Sequence, residues 1–323
     1  MATRRGIAVA GTVLVDKICE ISAYPKAGEL TKINSVGFAV GGCVPNVAID
    51  MKRIMPELEI RAIGLIGADT EGALVKSTLE SEGVCTEELC ECATVGTGFT
   101  DVMSITGGQR TFFTHAGANA HFGKNDVKLD TLPSKMLHLG YFLLLDKIDR
   151  GEGEALLRSA LEAGISTSID LVSENSDRYR CVLPCLPYTD NLIINELEAE
   201  GITSLSAERD GLRALAERLI ELGVRKRVII HTPTSSVCLT RESFVELPSY
   251  KLPDGFIKGT TGAGDAFCAG ALIGIHEGLS DEELLTLASR AAVSSLTEKD
   301  ATSGVRSIEI LKELTEGLQR YSK

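Results

Sequence analysis

The run Gly259-Thr260-Thr261-Gly262-Ala263-Gly264-Asp265-Ala266-Phe267 joins a glycine-rich turn to an apolar helical pattern with an aspartate in its first turn. The first N–H groups of a helix have no internal partner, and the aligned peptide dipoles add partial positive charge there, so such a start stabilises an anion. Glycines let backbone approach a phosphate closely, and a carboxylate beside an anion hole can take a proton from an attacking hydroxyl. In that positive field Asp265 is expected to stay ionised at neutral pH. Taken alone, the run reads equally well as a phosphoryl-transfer turn and as a glycine-rich, acid-capped helix start. It is not a Walker A loop, because Asp265-Ala266 stands where Lys and Ser or Thr are required. Nor is it the dinucleotide fingerprint, which sits on the first strand-to-helix turn of a βαβ unit.

The elements that must carry this turn are those of an α/β protein. Short β-branched runs at 7–10, 60–66, 136–139, 166–169, 192–194 and 227–231 alternate with helical patterns at 44–54, 72–82, 152–163, 207–222, 266–276, 281–296 and 308–318. The alternation predicts a mostly parallel sheet covered on both faces, in one domain over 1–323. Two segments break it, at about 13–40 and 97–115. The second reads as a hairpin turning at Thr106-Gly107-Gly108-Gln109. Together they predict a small β-sheet lid that excludes water from the site.

Composition excludes several classes. With 44% hydrophobic and 24% charged residues the chain is ordinary globular protein, and a formal charge of −12 argues against nucleic acid as a partner. No segment reaches membrane-spanning length. The nine cysteines contain no Cys-x-x-Cys pair, and the histidines show no ligand spacing, which argues against zinc and thioredoxin-like chemistry. An odd cysteine count, with an apolar run at 7–10 too short for a signal peptide, suits a cytoplasmic protein.

From about residue 7 to 308 the chain resembles the ribokinase-like (PfkB) carbohydrate kinases. The C-terminal signature is similar to Thr260-Thr261-Gly262-Ala263-Gly264-Asp265-Ala266-Phe267 followed by Ala269-Gly270. The N-terminal one is similar to Gly41-Gly42-Cys43-Val44-Pro45-Asn46-Val47-Ala48, with Gly64-Leu65-Ile66-Gly67-Ala68-Asp69 and Gly72 beyond. The resemblance implies a three-layer αβα fold and transfer of the γ-phosphate of ATP to a hydroxyl of a small ribose- or fructose-like sugar. It implies Asp265 as catalytic base, Gly262, Ala263 and Gly264 as anion hole, and Asp16, Gly41, Gly42 and Asn46 as sugar-binding residues, with Asp16 at the end of the first strand. Asn195 and Glu198 match an Asn-x-x-Glu element that organises Mg²⁺ through water, although Asn with Glu three residues on is also a helix capping box. Asp69 heading a helix reads as an N-cap.

The departures are as informative as the matches. Gly259 replaces an aspartate associated with a monovalent-cation site, which puts potassium activation in doubt. Pro233 and Ser236 replace two glycines of the nucleotide loop, which makes that loop stiffer. Gly117-Ala118-Asn119 leans towards a pentose, whereas Val172 and Glu174 disfavour a sugar acid. Two alternatives stand beside the sugar kinase: an adenosine-like nucleoside kinase, with Phe99, Phe112, Phe113 and Phe122 available for stacking, and a ligand-binding or regulatory homologue with weak chemistry. A homodimer through the lid edge is a further expectation.

Overall fold

The computed structural model describes residues 4–105 and 110–322, so the expected turn at Thr106-Gly107-Gly108-Gln109 lies outside the described residues. The first half contains β1 (Ile7–Gly11), β2 (Leu14–Ile21), β3 (Ile33–Gly41), α1 (Cys43–Ile54), β4 (Ile60–Gly67), α2 (Thr70–Ser81), β5 (Leu89–Cys92), β6 (Gly98–Ile105), β7 (Arg110–His115) and β8 (Met136–Phe142). Then come α3 (Gly153–Glu162), β9 (Ser166–Leu171), β10 (Asn191–Asn195), α4 (Glu196–Thr203), α5 (Ala207–Glu221) and β11 (Arg227–His231). The chain ends with β12 (Ser235–Leu239), β13 (Phe244–Pro248), α6 (Ala263–Glu277), α7 (Asp281–Ser295) and α8 (Ile308–Thr315).

Nine strands form one sheet in the order β13-β12-β11-β10-β9-β8-β1-β4-β5. All its pairings are parallel except β11 with β12 and β12 with β13. Both faces are covered, because successive residues of a strand point to opposite sides. Ile7 and Val9 join one apolar cluster, with α1, α6 and α7, while Ala8 and Ala10 join another, with α3, α4 and α5. This three-layer arrangement is the expected fold class. The β12–β13 hairpin and α4 go beyond the strands and helices that periodicity predicts. Both are short, and Pro233 makes the entry to β12 read as loop. Among the described residues no helix is long and apolar enough to cross a membrane.

A second sheet, in the order β3-β2-β6-β7, stands off the first. Its register decides which side chains share a face. Asp16 pairs with Ala39 and Thr100, and Thr100 with Thr114, so all four lie on one side. By the same alternation Ile18, Val102, Phe112 and Arg110 share that side, whereas Val36, Phe38 and Phe113 lie on the other. Asp16 is therefore the third residue of β2 and not, as expected, at the end of the first strand. The chain has already left the main sheet at Thr12, and Asn119 holds that crossing by bonding both the Val13 N–H and C=O, at 2.9 and 2.8 Å.

Candidate active site

In an open α/β sheet, ligands gather outside the carboxyl ends of the strands. Here Tyr141, Asp170, Asn195 and His231 sit at the carboxyl ends of β8, β9, β10 and β11, and all four line one cavity of about 170 Å³ together with Gly262, Gly264 and Asp265.

Gly262 caps α6 in the left-handed conformation, φ 80°, and a Cβ there would lie 2.3 Å from the Ala301 carbonyl oxygen. Only glycine fits this turn. At Gly264 the closest atom to an added Cβ is His231 Cε1 at 3.8 Å, so the backbone faces open space. The helix start is thus bare where an anion would approach.

Asp265 is buried, at 6% exposure, in the first turn of α6. Asn46 Nδ2 donates to its Oδ2 at 2.9 Å, and the Tyr141 hydroxyl lies 2.9 Å from both carboxylate oxygens. Burial, reinforced by the neighbouring Asp170 charge, lifts its pKa to about 7 against the pull of the Asn46 and Tyr141 hydrogen bonds. The expectation of a fully ionised carboxylate is corrected: desolvation outruns the helix-start field. A base poised near the working pH is well matched to proton abstraction.

Asp16 is lifted to about 6 by burial, and its charge also raises Asp265. Gly41 is required beside it, since a Cβ there would meet Asp16 Oδ2 at 2.6 Å. Gly42 caps α1 at φ 88° and packs against the Thr12 carbonyl. Asn46 Oδ1 and Thr12 Oγ1 are buried with no hydrogen-bond partner among the described residues. Orphaned acceptors and hydroxyls of this kind are costly unless a ligand satisfies them.

Asn195 and Glu198 form the capping box of α4: Asn195 Oδ1 accepts from the Glu198 N–H at 3.0 Å, and Glu198 Oε2 accepts from the Asn195 N–H at 3.1 Å. Glu198 Oε1 also accepts from Ser173 Oγ and Asn195 Nδ2, both at 2.9 Å, and burial pushes its pKa up to about 8. With donors already filling most of its lone pairs, Glu198 fits an ion only through water. Asp69 caps α2, accepting from the Gly72 N–H at 2.8 Å.

Three residues not picked out as site residues by motif reasoning belong here. Tyr141, with φ 59°, turns its hydroxyl onto Asp265. Asp170 accepts the Tyr141 N–H at 2.6 Å. Arg110, from lid strand β7, donates to Thr261 Oγ1 at 2.6 Å, which brings a guanidinium to the edge of the anion hole. Each is a single residue on a strand, with no local pattern to mark it.

A larger cavity of about 540 Å³ adjoins the site, lined by Leu197, His231, Pro233, Tyr250, Ile257 and Phe267 among others. Burial lowers the His231 pKa to about 4, so it is a neutral wall. Pro233 lies in the tight turn between β11 and β12, where Thr232 N–H donates to the Ser235 carbonyl at 2.8 Å. One expectation about substrate fails on packing. Phe122 is fully buried in the core beneath the sheet and cannot stack on a base.

The profile of the pfkB family of carbohydrate kinases matches residues 5–308. Ribokinase of Arabidopsis thaliana is 25% identical over 299 residues, covering 91% of this chain and 77% of its own. Adenosine kinase of Saccharomyces cerevisiae is 25% identical over 283 residues, covering 84% and 81%. Among solved structures, Arabidopsis thaliana ribokinase complexed with ribose and ATP superimposes with a TM-score of 0.82 at 22% identity, over 97% of this chain and 99% of that one.

Proposed function

This chain belongs to the pfkB family of carbohydrate kinases and is a phosphotransferase with an alcohol group as acceptor, and from that premise we propose that it transfers the γ-phosphoryl of ATP to a hydroxyl of a small ribose- or fructose-like sugar. The observation that carries the reading is the Asp265 carboxylate, held by Asn46 and Tyr141 at a helix start whose glycines face open space. Ionised Asp265 takes the hydroxyl proton as the sugar oxygen bonds to the γ-phosphorus, the bond to the β-phosphate oxygen breaks, and ADP leaves. The Gly262, Ala263 and Gly264 amides hold the charge of the transferring group, with Arg110 closing over it from the lid. Such stabilisation dominates phosphoryl transfer, because the protein makes no covalent bond.

Asp16, beside Gly41 and Gly42, takes two sugar hydroxyls, one on each carboxylate oxygen, and Asn46 Oδ1 accepts a third. ATP occupies the 540 Å³ cavity. Glu198 with Asn195 would hold Mg²⁺ through water, and the ion would supply positive charge to the phosphates. Gly259 supplies no carboxylate to a monovalent-cation site, and a Cβ there would lie 2.8 Å from the Glu298 carbonyl oxygen. The likeness to ribokinases favours a pentose. A nucleoside acceptor has support from Phe112, which shares the Asp16 face of the lid, but Phe113 lies on the opposite face. The outer strands of the lid sheet, β3 and β7, leave an edge to which a second copy of the lid pairs, in a cytoplasmic homodimer. Dynamic light scattering that shows only monomer at micromolar concentration rejects the dimer.

The test of function is ADP release with Mg-ATP across pentoses, hexoses, sugar acids and nucleosides, with and without potassium. Turnover on a pentose or ketohexose supports the reading. Turnover confined to nucleosides replaces the acceptor, and silence across the panel with ATP bound favours the regulatory alternative.

A further inference from the structure

Directly behind the catalytic carboxylate, four elements deliver four metal-ligating side chains to one place: Cys43 from the start of α1, His138 from the middle of β8, Asp170 from the end of β9 and Cys268 from the second turn of α6. Cys43 and His138 are fully buried, and Asp170 and Cys268 are 6% and 2% exposed. His138 Nε2 lies 3.4 Å from Asp170 Oδ2 and 3.6 Å from Cys268 Sγ, and Cys43 Sγ lies 3.8 Å from the same Asp170 oxygen. The ligating atoms of Cys43, His138 and Asp170 all fall within 4.8 Å of one another.

We propose that Cys43, His138, Asp170 and Cys268 form a tetrahedral binding site for a thiophilic divalent cation of the zinc type. Ligand bonds of about 2.0–2.3 Å to sulfur, nitrogen and oxygen place neighbouring donors of a tetrahedron roughly 3.2–3.8 Å apart, and the His138–Asp170, His138–Cys268 and Cys43–Asp170 separations are 3.4, 3.6 and 3.8 Å, while Cys268, outside the mutually close trio, would swing towards Cys43 as the ion binds. The set is two sulfurs, one imidazole and one carboxylate, a combination suited to zinc and poorly suited to Mg²⁺ or Ca²⁺. The outer contacts follow the same logic. His138 Nδ1 is 3.0 Å from Ser168 Oγ, and Asp170 Oδ1 accepts the Tyr141 N–H, so imidazole and carboxylate are each oriented from behind.

The backbone makes room for the cluster. A Cβ at Gly140 would lie 1.8 Å from Cys43 Sγ, so any other residue at that position would expel the thiol. An entry path exists, because Asp170 and Cys268 line the 170 Å³ cavity that opens at Asp265. Sulfur ligates as thiolate, so binding would displace the thiol protons. The second grouping of ligating types, Cys85 with Glu87 and Glu88, is different: the Arg61 guanidinium already lies among all three, within 3.2 Å of each. No sequence spacing announces the buried site, because its four residues come from four separate elements. An ion there would tie α1, which carries Asn46, to α6, which carries Asp265.

The experiment is titration of the full chain, stripped with chelator and free of Mg²⁺, with Co²⁺ followed by optical absorption, then displacement by Zn²⁺. The expected result is one ion per chain, with the intense visible bands of tetrahedral cobalt and a thiolate charge-transfer band in the near ultraviolet. Both should disappear in Cys43→Ser and His138→Gln and persist in Cys85→Ser. Weak octahedral bands without charge transfer, or a full spectrum retained in Cys43→Ser, overturn the proposal. Should the variants fail to fold, X-ray absorption of the zinc-loaded wild type decides: two sulfur ligands uphold the site, and an all-oxygen and nitrogen shell rejects it.

Discussion

Replacing Tyr141 by Phe removes one hydroxyl and leaves the ring, the positive φ and the cavity walls in place. That hydroxyl lies 2.9 Å from both oxygens of Asp265, a hydrogen bond to the charged form of the base. Hydrogen bonds to charged groups are worth about 1.5–3 kcal/mol, and 1.36 kcal/mol corresponds to one pH unit, so the substitution moves the titration of Asp265 upward by about 1–2 pH units. The sign is fixed by role: a base acts ionised, so activity rises with pH through the folded-state value, about 7 in the wild type. At pH 7 the ionised fraction falls from about one half to about 1–10%, and kcat/KM drops by about 5–50-fold. On the alkaline plateau, where both enzymes are fully ionised, the two should agree to within about threefold. The assay is coupled ADP release between pH 5.5 and 10 on the best acceptor, because kcat/KM reports the free enzyme. An acid limb that stays at the wild-type position, or a loss that is uniform across pH, refutes the argument that Tyr141 tunes Asp265.

Asp265→Asn keeps the shape but turns one acceptor oxygen into a donor and cannot take a proton, so kcat should fall by about 10²–10⁴-fold while the fold is retained; activity within about tenfold of wild type removes the assigned role. Asp16→Ala should raise the sugar KM at least about tenfold, the equivalent of ~1.4 kcal/mol, and shift the acid limb to lower pH because a charge that raises Asp265 is gone. An unchanged KM and limb place Asp16 outside the site. Arg110→Ala should lower kcat by about 10²-fold or more while the sugar KM holds, since one guanidinium over the anion hole is lost. Equal kcat values for variant and wild type would make the Thr261 contact a mere lid latch.

What could be read beforehand divides by how local the information is. Gly262, Gly264, Asp265 and Asn46 stand in contiguous runs whose chemistry is written in neighbouring residues, and the structure brings Asn46 onto Asp265. The alternating elements predicted the large parallel sheet for the same reason. Tyr141, Asp170 and Arg110 carry no such marker, because a strand end acquires meaning only when strands are ordered beside it. The ionisation of Asp265 was legible only in part: the helix start is visible in sequence, whereas the burial that lifts its pKa is a property of the assembled layers. Likewise the choice among the lid phenylalanines depended on register, which sends Phe112 and Phe113 to opposite sides.

The base and its two hydrogen-bond donors come from distant parts of the chain: Asn46 and Asp265 are separated by 219 residues and Tyr141 and Asp265 by 124. Contacts of such long sequence separation are slow to form, since the intervening loops must close before anything is gained. A chain emerging from the ribosome, or refolding from denaturant, can therefore assemble the β1-α1-β4 region and its apolar packing long before a working base exists. Catalytic competence should be among the last properties to return, trailing helix content, and its recovery curve would time the docking of α6 against the rest of the molecule.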